Sequence, residues 1–191
     1  MEHTYNDIDV LDAIIHYRTT LENGVKQSDK HMDGFLRLCS KTFQDNNMTV
    51  REKHKAVVSG GILHKKRWDL VANGRRSCCA LEFKSILSSR FGRNYSSRVE
   101  EAIGVGYDAK AKSKATKLGY WIILEDDDGE AHKHREKIKT FCNTIMNKYK
   151  IYDSVIAIEL NQDNWDYIYS DYKSFINKFD SRNIFDIFRL R

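Results

Sequence analysis

Apolar side chains at Ile8, Leu11, Ile14, Ile15 and Leu21 recur at helical spacing behind Asn6 and Asp7, either of which suits a cap, so residues 7–22 are predicted to form an amphipathic helix. A second helix is predicted from the stripe Met32, Phe35, Leu36, Cys39 and Phe43, capped by Asp29 and ended by Asn46 and Asn47. The period then changes. Segments 56–59, 68–72 and 78–84 are short and rich in strand formers, and Asn73-Gly74 between the last two is a hairpin signal. Beyond them a helix is expected over 95–112, an apolar strand over 118–124, a helix over 131–149 and another apolar strand over 154–160. Residues 161–191, rich in Tyr, Phe and Asp, show no readable period.

This order predicts an α/β fold: a mixed central sheet with a hairpin in its first half, a helical crossover to later strands, and helices on both faces. A chain of 191 residues suits one domain, read as a helical part over 1–48, a sheet core over 50–160 and a helical or irregular part over 161–191. Proline is absent and no Gly/Ser-rich or repeated stretch suggests a linker.

Hydrophobic residues at 41% predict a folded interior, while 31% charged residues predict a soluble surface. The polar, acidic start and the lack of a long apolar run disfavour secretion and membrane insertion and point to the cytoplasm. Cys39, Cys78, Cys79 and Cys142 have no framework spacing and are expected to be reduced core thiols. A net charge of +5 permits an anionic partner such as nucleic acid without requiring one.

The candidate chemistry lies in the segment 66–85. Trp68-Asp69-Leu70 is predicted on one strand and Ala80-Leu81-Glu82-Phe83-Lys84 on its partner across a tight turn. Side chains at i and i+2 of a strand share a face, so Glu82 and Lys84 project one way and Phe83 the other, toward a buried side. The hairpin then sets Asp69 beside Glu82. Phosphodiester hydrolysis requires neutralising the charge that develops on phosphate and making water nucleophilic near neutral pH, and a hard divalent cation does both. Mg²⁺ prefers oxygen ligands and keeps several waters, which suits the carboxylates of Asp69 and Glu82, the Phe83 backbone carbonyl and a phosphate oxygen. Lys84 beside it can orient the attacking water or stabilise charge in the transition state. An acid and a lysine at i and i+2 also make an ordinary exposed ion pair, and a bare D…ExK pattern is short enough to arise by chance. The apolar run 78–81 ahead of Glu82 favours the chemical reading, because unpaired charge is costly there.

Several motifs in one order resemble the core block of XhoI-type type II restriction endonucleases. They are Lys66-Arg67-Trp68-Asp69-Leu70, Glu82-Phe83-Lys84-Ser85, Phe91-Gly92-Arg93-Asn94 and Arg98-Val99-Glu100-Glu101-Ala102-Ile103-Gly104. Upstream His31-Met32-Asp33-Gly34-Phe35 and downstream Leu118-Gly119-Tyr120 and Leu124-Glu125-Asp126 extend the resemblance over residues 31–126. It implies a restriction-endonuclease-like PD-(D/E)xK fold and Mg²⁺-dependent cleavage of double-stranded DNA at a short palindrome, with CTCGAG or a relative as the first site to test. It also implies a homodimer and a cognate DNA methyltransferase that protects the host. By this match Asp69 and Glu82 are the metal-binding acids and Lys84 the catalytic lysine, and Asp33 can orient a catalytic or DNA-contacting group or be a polar position on an apolar helix. Trp68 stands where the general motif has proline, a position that supplies no ligand. The chain is shorter than the group between Gly104 and Leu118 and after Asp126, which leaves the recognition sequence open.

Around this core, Phe91 to Ile103 is read as a DNA-facing loop entering a helix, with Arg93, Asn94 and Arg98 as donors to phosphates or bases. Lys65, Lys66 and Arg67 suit sequence-independent phosphate contacts. All of these, and Arg90, serve equally as solvated surface groups. Glu100 can touch a metal or water or act as an ordinary first-turn acid on the helix dipole. His132-x-His134 lacks the partners of a zinc site, His31, His54 and His64 have no evident partner, and no Walker-type loop points to ATP. Two other readings stand beside the restriction enzyme. One is a nuclease of the same superfamily acting in repair or on branched DNA, and the other is a catalytically inactive DNA-binding relative.

Overall fold

A computed structural model describes residues 7–22, 29–58, 62, 66–74, 78–112, 116–161 and 165–170 of the chain. The strands are β1 (Thr49–Glu52), β2 (Val57–Val58), β3 (Lys66–Arg67), β4 (Leu70–Asn73), β5 (Cys78–Leu87), β6 (Thr116–Glu125), β7 (Ser154–Leu160) and β8 (Trp165–Ser170). The helices are α1 (Asp7–Glu22), α2 (Asp33–Asp45), α3 (Phe91–Lys112) and α4 (Arg135–Asn143). A six-stranded sheet runs β1-β4-β5-β6-β7-β8, and β2 and β3 form a separate ribbon. The central β5, β6 and β7 are parallel because α3 and α4 carry the chain back between them, whereas β1, β4 and β8 pair antiparallel. The sheet is therefore mixed, with helices on both faces, as the element order predicts.

Period-two alternation divides the core. Leu70, Leu81, Phe83, Trp121, Ile123 and Ile156 face α1 and α2, meeting Ile14, Tyr17, Phe35 and Phe43. Val71, Ala80, Tyr120, Ile122, Val155 and Ala157 face α3 and α4, meeting Ala102, Ile138, Phe141 and Cys142. Two glycines allow close approach. A Cβ on Gly34 would lie 2.7 Å from the Ala13 carbonyl oxygen where α2 crosses α1, and one on Gly106 would collide with Ile151, where α3 sits down beside β7. The thiols are unpaired as expected, and burial pushes that of Cys142 up to about 12. Among the described residues no helix is long and apolar enough to cross a membrane.

Several boundaries differ from the pattern reading. Asp29 opens a 3-10 turn instead of capping α2, whose N-cap position is held by Met32 without a side-chain hydrogen bond. Among the described side chains of α1, Ala13, Ile14 and Tyr17 are buried while Leu11 and Ile15 are exposed, and those of Ile8 and Leu21 lie outside the described ones. The connection from β4 to β5 is not a tight Asn73-Gly74 turn, because Asn73 already pairs with Cys78 and residues 74–77 make the link. Trp68 and Asp69 precede β4 at a bend instead of lying within it, and only Val57 and Val58 of segment 56–59 form a strand, with Ser59 outside the described residues. Phe91 to Asn94 is the first turn of α3 and no loop, following a 3-10 turn at Ser88–Arg90. The helix expected over 131–149 is divided into a 3-10 turn, α4 and a π-helical turn at Thr144–Lys148.

Candidate active site

β5 carries an apolar run with one acid set into it. Glu82 is only 5% exposed, and because alternate residues share a face, it lies with Lys84 on the α3 side. Phe83 points to the opposite face and packs against Trp121, with ring centroids 5.7 Å apart. The Lys84 Nζ is 2.6 Å from Glu82 Oε1 and 3.0 Å from Oε1 of Glu101, which descends from α3. Lys66, at the end of the β2–β3 ribbon, brings its Nζ to 3.3 Å from Glu82 Oε1 and 3.9 Å from Glu101. The Arg98 Nη1 donates to Glu101 Oε2 at 3.0 Å, one helical turn away.

Asp69 enters from the bend that precedes the neighbouring strand β4. Its backbone N–H donates to the Leu81 carbonyl at 3.1 Å and its own carbonyl accepts from Lys53 N at 2.8 Å, so the bend before β4 is fixed on both sides. Its Oδ2 accepts the Phe83 N–H at 2.7 Å, taking the place of the strand that ends at Leu70. A residue's N–H and C=O leave an extended strand on the same side, so the Phe83 carbonyl is directed past the end of β4 toward the Asp69 carboxylate. Trp68 stands directly before Asp69 at this bend. Its N–H donates to the Ala56 carbonyl at 2.8 Å, a bond that proline lacks the hydrogen to make, and its ring is buried in the core beneath α3.

The electrostatics are those of a crowded, partly dry site. Burial works against the charge on Lys84, but Glu82 and Glu101 outweigh it and hold the ammonium above the ordinary lysine value. Burial likewise works to raise Glu101, and Lys84 and Arg98 outweigh it, so its carboxyl falls below the usual range. Glu82 is less evenly served. Its Oε1 takes the lysines, while its Oε2 is buried and has no hydrogen-bond partner among the described residues. A buried carboxylate oxygen left so is costly unless something else occupies it.

The family model described as Restriction endonuclease XhoI matches residues 18–154, a stretch that contains every residue of this cluster. The chain belongs to the XhoI restriction endonuclease family. Among curated relatives, it is 32% identical over 128 residues to the type II restriction enzyme AbrI of Azospirillum brasilense, covering 60% of this chain and 58% of that one. It is 30% identical over 111 residues to the type II restriction enzyme XhoI of Xanthomonas vasicola, covering 51% and 45%. It is also 30% identical over 126 residues to the type II restriction enzyme BstVI of Geobacillus stearothermophilus, covering 57% and 56%. The chain spans about half the length of the curated relatives it matches.

Within this XhoI-family fold, the residues singled out by sequence separate into those that meet and those that do not. Glu82, Lys84 and Lys66 meet directly, and Asp69 adjoins them through Phe83. Arg98 joins through Glu101. Arg67, Arg90 and Arg93 are exposed, Asn94 is half-buried on the first turn of α3, and Lys65 and His64 lie outside the described residues. Asp33 pairs with Lys53 at 2.7 Å, and the Lys53 backbone N–H donates to the Asp69 carbonyl. The acid that α3 contributes is Glu101, whereas Glu100 is exposed beside it. Helical phase carries the signal for this choice, since Glu101 adjoins the buried stripe Ala102, Gly106 and Ala109. His134 stacks on Phe91 with centroids 3.9 Å apart, and His31 lies 3.3 Å from Ser85 Oγ and edge-on to Tyr17, so both are packing residues of the fold.

Proposed function

We propose that this XhoI-family chain is a Mg²⁺-dependent type II restriction endonuclease of the PD-(D/E)xK kind, cutting both strands of DNA at a short palindrome. The observation that carries the reading is Glu82. It is a buried acid with one oxygen between lysines and the other without a partner among the described residues, on the strand beside the Asp69 carboxylate. Among the described residues no group of at least three His, Cys, Asp or Glu side chains converges. Two carboxylates and one carbonyl suit a cation that keeps waters and takes few protein ligands, as Mg²⁺ does, and Asp69, Glu82 and the Phe83 carbonyl would hold it. When bound, such a cation offsets charge on the phosphate and lowers the pKa of an attacking water.

The chain's own residues supply the rest. Lys84 is held charged and directed along the Glu82 carboxylate, where it orients water or stabilises the oxyanion as the phosphorus–oxygen bond to the leaving sugar breaks. Lys66 adds a second positive charge at the same edge. Arg67, Arg93, Asn94 and Arg98, the first on the ribbon and the others in the first turns of α3, would serve phosphate and base contacts in this reading. A homodimer whose two-fold axis matches a palindrome would give each strand its own site, and a cognate methyltransferase would protect the host.

The test is incubation of the purified chain with unmethylated linear DNA carrying one CTCGAG site, with Mg²⁺ or with chelator. The expected outcome is Mg²⁺-dependent cleavage into two discrete fragments. Discrete cuts at other sequences would keep the endonuclease and replace the site. Intact duplex from a folded protein would sink the reading.

A further inference from the structure

We propose that Glu101 is a positioning residue: from α3 it holds the Lys84 ammonium in place over Glu82 and ties that lysine to Arg98, on the helix that faces DNA. The inference rests on the nuclease reading above and names a part of the site that reading does not contain.

A lysine side chain has four rotatable bonds, and one carboxylate restrains its end in one direction only. Lys84 Nζ has acceptors from two elements, Glu82 Oε1 at 2.6 Å on its own strand and Glu101 Oε1 at 3.0 Å on the helix above. Together they fix the ammonium between sheet and helix. The other oxygen of Glu101 is occupied by Arg98 Nη1 at 3.0 Å, so this one carboxylate joins the lysine to the outer part of α3. Arg98 Nε is buried without a hydrogen-bond partner among the described residues, which marks this arginine as more than a solvated surface group.

The frame behind Glu101 is rigid. Its neighbour Ala102 is buried, with its carbonyl accepting the Tyr152 hydroxyl at 3.0 Å, and Gly106 one turn further on lets α3 press onto Ile151. α3 is therefore anchored to the sheet by contacts that do not involve Glu101. Glu101 is 30% exposed, and Lys84 keeps Glu82 as a partner without it, so removing this carboxylate should cost little stability. Whatever seats the first turns of α3, where Arg93, Asn94 and Arg98 stand, seats Lys84 through the same carboxylate.

The experiment compares wild type, Glu101→Ala and Glu101→Gln by steady-state cleavage in Mg²⁺, with thermal melting in parallel. Glu101→Ala is expected to lower kcat roughly a hundredfold, the scale of a misplaced catalytic group. KM for DNA should stay level or fall, because a negative charge leaves an anion-binding surface. Glu101→Gln, which keeps an oxygen acceptor for Lys84, should recover at least about tenfold of that loss. Both variants should melt within about 4 °C of wild type. Wild-type kcat in Glu101→Ala, a raised KM at unchanged kcat, or Gln no better than Ala would each overturn the positioning role while leaving the nuclease reading intact. A wild-type chain that cuts no DNA would overturn both.

Discussion

Two glutamates sit at the same depth on the same face of the sheet and are treated in opposite ways. Glu82 on β5 and Glu159 on β7 are each 5% exposed. Glu159 receives a planar, bidentate guanidinium, Arg135 Nε at 2.7 Å to Oε2 and Nη2 at 2.8 Å to Oε1, so both of its oxygens are satisfied by the geometry that matches a carboxylate best. Glu82 has lysines crowded at Oε1 and, among the described residues, nothing at Oε2. Burial alone does not mark an active site. What separates these acids is whether the described fold completes their partners, and it is the incomplete one on which the proposed nuclease reading rests.

The contrast is sharpest where Glu82 is neutralised without changing its shape. Glu82→Gln is expected to lower the cleavage rate by roughly a thousandfold or more, the scale of losing a transition-state electrostatic group. Its melting temperature should fall modestly, because Lys84 and Lys66 lose the charge that offsets their burial while Lys84 keeps Glu101. Rate and melting measured on one preparation check this, and a marked drop in stability with cleavage retained would reverse the assignment. The matching change at the other acid is Arg135→Ala, which strands Glu159 in the core. It should cost about 3 kcal/mol in denaturant unfolding, with the cleavage rate per folded molecule unchanged. Equal stability in that variant would mean that Glu159 finds relief elsewhere and that the two acids are less different than their contacts say.

The sequence exposed one of these acids more readily than the other for a physical reason. Glu82 lies in D…ExK on an apolar strand, and the strand period puts Lys84 beside it, so local spacing is enough. Glu159 owes its meaning to Arg135, which is distant in sequence, and no local pattern announces that pairing. The same divide runs through the fold. The buried central strands were legible from their apolar runs, because parallel strands covered on both faces leave little room for polar residues. The edge strands were not. β1 is Thr-Val-Arg-Glu with mostly exposed side chains, and β8 alternates too weakly in Trp-Asp-Tyr-Ile-Tyr-Ser to stand out. The helix-borne acid is read from the sequence as Glu100, and choosing Glu101 instead needs the phase of α3 against the sheet.

A third carboxylate falls between the extremes and gives the smallest expected effect. Asp153 stands just before β7 and is tied to the start of β6. Its Oδ2 accepts from Lys110 Nζ at 2.6 Å and from the Leu118 N–H at 2.9 Å, and its Oδ1 from Lys117 Nζ at 3.1 Å. It is satisfied like Glu159 but less deeply buried. Burial works to raise its pKa, yet Lys110, the Leu118 amide and Lys117 outweigh it and hold the carboxyl below its ordinary value. A depressed folded-state pKa means that the unfolded chain takes up the proton first as acid is added. The stabilisation is therefore present above the unfolded value of about 4 and is lost as pH falls through the folded one. Asp153→Asn should cost about 1–2 kcal/mol near neutral pH, the usual worth of a charge-assisted hydrogen bond at a partly exposed site. The gap to wild type should close in acid below pH of about 4. Unfolding free energies at neutral and acid pH decide it: a gap that widens in acid would mean that the ion pairs do not hold the two parallel strands in register, and that Glu159 alone represents the satisfied class.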